Sequence, residues 1–138
     1  MVFVDSDLII QSLRKSGSPS SIKAKQTLKE LFQTQDSIKI TIFNYAELFK
    51  GTFWASNVAK SQRIIEDFLE NFEIIGFTLE NALEFARISA ELDIKGEKIG
   101  DMDILIASIV IGNRAILYTR NIEHFRRITN LAIENWDQ

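Results

Sequence analysis

An α/β domain built on a mainly parallel sheet, with helices covering both faces, is what this sequence predicts, and three observations predict it. Short apolar runs of strand length recur along the chain, and most are followed by a stretch with helical spacing. Several of those runs are apolar throughout, as strands buried on both faces should be. All six glycines, at 17, 51, 76, 96, 100 and 112, fall at or near the boundaries drawn this way.

Each element has its own justification. Met1 to Val4 combines β-branched and aromatic residues and is cut off by Asp5-Ser6-Asp7, which makes it a buried strand. A helix is expected from Ser6 or Asp7, either of which can cap it, through Leu8, Ile9, Ile10 and Leu13 to the breaker Ser16-Gly17-Ser18-Pro19. Residues 20–34 carry helical spacing, with Ile22, Leu28, Leu31 and Phe32 inward and Lys23, Lys25 and Lys29 towards water. Ile38, Ile40 and Ile42 alternate with Lys39 and Thr41 at the period of a strand. A helix start is then expected at Asn44-Tyr45-Ala46-Glu47, with a stop near Gly51.

Ile65, Phe68, Leu69 and Phe72 share one helical face over residues 56–72, and Glu73 to Phe77 supplies a short strand. Thr78 caps the next helix, whose expected buried side is Ala82, Phe85, Ala86 and Leu92. Lys95 to Lys98 forms a loop leading to Gly100-Asp101-Met102-Asp103 and the apolar run Ile104 to Ile111, an element buried on every side. Ala115 to Thr119 is another strand, Arg120 to Phe125 a turn into a short helix, and Leu131 to Ile133 a final edge strand with Trp136 packing the end.

The bulk numbers narrow the classes. A chain of 138 residues is expected to be one domain spanning 1–138. The absence of cysteine excludes a disulfide framework and thiolate metal sites, and it fits a reducing compartment. No stretch has the ~18 apolar residues of a membrane span, and no signal core follows the N-terminus, so a cytoplasmic protein with no membrane partner is expected. The net charge of −3 argues against avid, sequence-independent nucleic-acid binding. It leaves room for a local basic rim, for which Lys50, Lys95, Lys98, Arg120, Arg126 and Arg127 are the candidates.

The chemistry lies in acids that are distant in sequence but equivalent in position. Asp5 ends the first strand, Glu47 lies one turn into the helix after the second, Asp101 and Asp103 open the buried helix, and Asn121 lies just past the fourth strand. Parallel strands bring these ends to one edge of the sheet, where α/β proteins bind ligands. Each acid alone has a capping or helix-dipole role available, but independent caps give no reason for all of them to share one edge. Carboxylates gathered there repel one another, and a hard divalent ion such as Mg²⁺ or Mn²⁺ relieves the repulsion. Such an ion activates water and clamps phosphates.

Asp5-Ser6-Asp7 after a first strand, Glu47 within Asn-Tyr-Ala-Glu-Leu, Ile99-Gly100-Asp101-Met102-Asp103-Ile104-Leu105-Ile106-Ala107, Tyr118-Thr119-Arg120-Asn121 with His124-Phe125, and the closing Glu134-Asn135-Trp136 together resemble the PIN domain family. More narrowly, the chain resembles VapC-type toxins of type II toxin–antitoxin pairs. The resemblance implies a three-layer α/β/α sandwich, Mg²⁺- or Mn²⁺-dependent endoribonuclease activity on an RNA substrate, a VapB-like antitoxin and a homodimer. By position it makes Asp5 and Asp103 the metal-holding acids and Glu47 a third acid acting on metal-bound water, and Asp101 is expected to assist. Ser6, Thr119 and Asn121 are expected to support those acids or touch the substrate. Two departures stand out: the first motif more often reads Asp-Thr-Asn, so Asp7 adds a charge, and neutral Asn121 weakens the case for a second metal.

Two rival readings compete with the nuclease. A receiver-like phosphoacceptor would want a phosphorylatable Asp at the end of its third strand, where this chain has Gly76-Phe77. A catalytically silent relative that only binds a partner or RNA is motivated by Asn121. His124 is expected at the surface or a helix end, and Phe53-Trp54 either in the core or as an apolar patch for a partner.

Overall fold

A computed structural model describes residues 1–138. In chain order the elements are β1 (Val2–Val4), α1 (Ser6–Leu13), α2 (Pro19–Thr34), β2 (Ile38–Thr41), α3 (Ile42–Thr52), α4 (Val58–Leu69), β3 (Phe72–Ile75), α5 (Leu79–Lys95), α6 (Asp101–Gly112), β4 (Ile116–Tyr118), α7 (Ile122–Phe125) and β5 (Ala132–Glu134). The five strands form one sheet in the order β3-β2-β1-β4-β5, and every pairing is parallel. The chain builds outward from β1 to β3 on one side, then returns to place β4 and β5 on the other. The order therefore reverses between β1 and β4, and the carboxyl ends at that reversal form the natural ligand crevice.

The pleat of β1 divides the core. Val2 and Val4 point into a cluster with Leu8, Ile9, Leu28, Leu31, Ile40 and Leu48, whereas Phe3 points into a second cluster with Ile88, Leu92, Ile106, Ile109, Leu117 and Phe125. Helices α1 to α4 thus cover one face and α5 to α7 the other, a three-layer α/β/α sandwich. No helix is long and apolar enough to cross a membrane.

Several expectations are corrected in detail. Asp5 itself caps α1, its Oδ1 accepting from the Ser6 amide at 2.9 Å, so Ser6 and Asp7 lie inside the helix. Helix α3 starts at Ile42 rather than Asn44, because Thr41 ends its strand and caps the helix in the same residue. Ile22 and Phe32 on α2 are exposed, the buried stripe running instead through Ser21, Ala24, Thr27, Leu28 and Leu31. On α5, Asn81, Ile88 and Leu92 are buried and Ala86 is exposed. Helix α6 is buried almost all round, as its composition demands.

Candidate active site

Four segments deliver polar side chains to the β1/β4 reversal. Asp5 stands at the end of β1, Ser6 opens α1, Asn44 and Glu47 come from the first two turns of α3, Asp103 from the first turn of α6, and Thr119 and Asn121 follow β4. Asp5, Ser6, Glu47, Asp103 and Asn121 line a single open cleft of about 660 Å³.

Hydrogen bonds fix the floor of that cleft. Asp5 Oδ1 accepts from the Ser6 amide at 2.9 Å and from Asn44 Nδ2 at 3.0 Å, and its Oδ2 accepts from Thr119 Oγ1 at 2.8 Å. Thr119 is fully buried, and its Oγ1 accepts in turn from the Asn121 amide at 3.0 Å. Glu47 Oε1 accepts from Ser6 Oγ at 2.9 Å, while Asn44 Nδ2 reaches that Ser6 oxygen at 2.9 Å and Glu47 Oε1 at 3.4 Å. Asp103 Oδ2 accepts from His124 Nδ1 at 2.9 Å and from Asn121 Nδ2 at 3.3 Å.

The electrostatics of the floor are unfavourable as the chain stands. Burial pushes the Asp5 carboxyl above its ordinary pKa; the bonds from Thr119, Ser6 and Asn44 oppose the rise, and the charge of Asp103 adds to it. Burial likewise raises Glu47, opposed by the Ser6 hydroxyl and reinforced by Asp5 and Asp103. Lys50 is the one cation lining the cleft, and it forms no ion pair.

These donors suit a hard cation. Asp5, Glu47 and Asp103 offer oxygen, no cysteine thiolate is available, and none of the three acids is paired with an arginine or lysine that would neutralise the floor. No group of three or more acid or histidine side chains is drawn together tightly enough to hold one ion jointly. One or two carboxylates with water completing the shell is therefore the arrangement that fits, which is the habit of Mg²⁺.

No protein-family model matches the chain. It is 38% identical over 109 residues to Ribonuclease VapC2 of Rickettsia felis, covering 79% of this chain and 81% of that relative. It is 27% identical to the tRNA(fMet)-specific endonuclease VapC of Salmonella typhimurium, over 84% of this chain and 89% of that one. The crystal structure of VapBC2 from Rickettsia felis bound to a DNA fragment from their promoter matches with a TM-score of 0.86 and 31% identity over 99% of both chains. The chain belongs to the VapC family.

As a VapC-family member it gathers Asp5, Glu47, Asp103, Ser6, Thr119 and Asn121 around the reversal point, and it leaves Asp101 out. Two residues along a helix turn the side chain by about 200°. Asp101 consequently borders a separate depression with Ser89, Asp93 and Lys98, on the far side of α6 from the cleft. The extra charge of Asp7 is matched by Arg120, which also bonds Asp137 Oδ2 at 3.1 Å and lies 5.4 Å above the Trp136 ring. Much of the expected basic rim is engaged elsewhere: Arg126 pairs with Glu123 at 2.7 Å and Arg127 donates to the Lys98 carbonyl at 3.1 Å.

Two residues were undervalued by sequence reasoning. Asn44, fully buried, was expected only to open the helix that carries Glu47; its carbonyl oxygen does serve a cap, that of Thr41, while its amide nitrogen holds the acids. The Thr-x-x-Asn spacing directly at a strand end was the available signal. His124 was expected at the surface or a helix end and does stand, part-exposed, in the last turn of α7; what sequence reasoning missed is that it donates to Asp103, for which its place a few residues after the buried Thr119 was too weak a cue.

Proposed function

We propose that this chain is an Mg²⁺- or Mn²⁺-dependent endoribonuclease, the toxin of a toxin–antitoxin pair held in check by a VapB-like antitoxin, with residues 1–138 acting as one nuclease domain in the cytoplasm. The carrying observation is that Asp5, Glu47 and Asp103, from three different elements, line the same cleft at the sheet's reversal point. The names of the relatives, ribonuclease and endonuclease, support RNA as the substrate, and the VapBC2 complex supports the antitoxin.

Asp5 and Asp103 would hold the ion. When bound, it supplies Lewis-acid stabilisation of the phosphodiester and acidifies its water. Thr119, Ser6 and Asn44 fix the Asp5 carboxylate in one orientation, and His124 and Asn121 do the same for Asp103. Glu47 has one oxygen tied to Ser6 and Asn44, and its raised pKa suits it to take up a proton from the attacking water. Asn121 is neutral, so the site relies on the three acids for its charge.

Incubating the purified chain with RNA, with and without Mg²⁺ or Mn²⁺, tests the reading. Cleavage that needs the ion, is lost on chelation and is abolished by Asp103→Asn with an unchanged circular dichroism spectrum is the expected result. Full activity in the Asp103→Asn protein overturns the assignment. Calorimetric Mn²⁺ binding separates the enzyme from a silent relative, which would bind neither metal nor cleave.

A further inference from the structure

Trp54 sits on the turn between α3 and α4 and is 86% exposed, whereas the chain's other tryptophan, Trp136, is 2% exposed. A large aromatic held out in water is the unusual case. The turn beneath it is nonetheless fixed: buried Thr52 donates its hydroxyl to the Phe49 carbonyl at 2.6 Å and accepts from Gln62 Nε2 at 3.2 Å, and the Trp54 amide donates to the Gly51 carbonyl at 3.3 Å. Trp54 joins no aromatic or cation–π pair within the chain. It lines the acid cleft, with unpaired Lys50 one helical turn before it and the part-exposed Ile10 and Met102 also on that cleft's walls.

We propose that Trp54 and Lys50 form a platform for an unpaired nucleotide, the indole stacking on its base and the ammonium taking its phosphate, so that the RNA entering the cleft is single-stranded at that point. The inference rests on the nuclease reading above and names its substrate class. An acid floor with a metal takes the phosphodiester, and the base attached to it must then lie against the adjoining wall, which here is apolar and ends in an indole. Bases inside a duplex present only their edges, so only an unpaired base can offer its face to the ring. The free ammonium beside the indole suits a phosphate.

The test is binding under chelation, which keeps RNA intact. A short single-stranded RNA and the same strand annealed to its complement are titrated into the chain, following tryptophan emission and the anisotropy of labelled RNA. The single strand is expected to quench Trp54 and to bind more tightly than the duplex. Trp54→Ala should weaken single-strand binding ~5- to 150-fold, Trp54→Phe should retain most of it, and Lys50→Ala should lower the salt dependence by about one phosphate contact. Equal binding of both RNAs, or an unaffected Trp54→Ala protein, overturns the proposal. So does a Trp54→Ala protein that keeps RNA binding but loses a VapB-like antitoxin, which would assign the surface to the partner. Cleavage by a wild type whose Trp54→Ala variant binds and cuts equally well leaves the nuclease reading standing and removes the platform; quenching of Trp54 without cleavage in either metal does the reverse.

Discussion

Thr41-Ile42-Phe43-Asn44-Tyr45-Ala46-Glu47 and Thr78-Leu79-Glu80-Asn81-Ala82-Leu83-Glu84 share one pattern, Thr-x-x-Asn-x-x-Glu, and open α3 and α5 with the same reciprocal cap. In both, the threonine hydroxyl accepts from the asparagine amide of the backbone at 3.1 Å, and the asparagine Oδ1 accepts back from the threonine backbone, at 3.4 Å in α3 and 3.0 Å in α5. Beyond the cap they diverge. Asn44 Nδ2 reaches Asp5, Ser6 and Glu47, whereas Asn81 Nδ2 donates to the Ser108 carbonyl at 3.3 Å; Glu47 faces the cleft, whereas Glu84 pairs with Arg87. The cause is the strand each helix follows, since β2 lies beside central β1 and β3 lies at the sheet edge. A local motif thus sets the cap, and position in the sheet decides whether the same residues also build a site.

The two glutamates give the sharpest break. Glu47→Gln is expected to lower kcat/KM for RNA cleavage by ~10²- to 10⁴-fold, the usual reach of a positioned acid–base group. Glu84→Gln should leave kcat/KM unchanged and shift stability by about 0.5 kcal/mol at most, since it removes a part-exposed ion pair. Equal losses in the two proteins would mean that the cleft plays no special part.

The asparagines come next. Asn44→Ala and Asn81→Ala each abandon a cap and a buried amide contact, and each should cost ~1–3 kcal/mol in denaturant unfolding. Only Asn44→Ala should also weaken Mn²⁺ binding, by ~10- to 100-fold in calorimetry, because it releases the support of an acid expected to hold the ion. If Asn81→Ala weakens Mn²⁺ equally, the loss reflects the fold in general, and Asn44 has no positioning role.

Proton linkage extends the contrast. Asp5 and Glu47 have pKa values raised by burial in the folded metal-free chain, so between the unfolded and folded values the folded state binds more protons than the unfolded one. Stability must then fall as pH rises through that window and level off above it. Glu47→Gln should flatten the fall, Glu84→Gln should not, and Mg²⁺ should offset it; urea unfolding across pH at constant ionic strength reads all three. A metal-free chain whose stability rises through the window would contradict the desolvated floor.

How much of this was legible beforehand differs between backbone and side chain. The five strands, their alternation with helices and the acids at strand ends follow from apolar runs and punctuation, which are local signals. The placement of Asp101 was not legible, because an apolar stretch with no polar face hides the phase of its helix; Asp103 was expected to hold the ion and Asp101 to assist, and only the packing of α6 turns Asp101 away from the cleft. The double use of Asn44 and the bond from His124 to Asp103 depend on contacts across 39 and 21 residues, which no local period encodes. The resemblance to VapC toxins supplied Asp5, Glu47 and Asp103 in order, with Ser6, Thr119 and Asn121 expected beside them, but it did not supply Asn44 or His124.

The smallest effect isolates the structural twin of Asn44. A Cβ on Gly112, the last residue of α6, would lie 2.5 Å from Asn81 Nδ2, and that amide is already committed to Ser108. Gly112→Ala should therefore lose the interhelix bond, costing ~1 kcal/mol, partly offset by the ~0.5–1 kcal/mol that alanine contributes in a helix. In an Asn81→Ala background the clash is gone and only the helix preference remains, so the same substitution should become neutral or stabilising. A double-mutant cycle read by denaturant midpoints should show this change of sign, while RNA cleavage stays at the level of each parent. Additive effects would mean that Asn81 moves aside freely, and that the α5 cap lacks the rigidity its geometry shares with the cap holding Asp5 and Glu47.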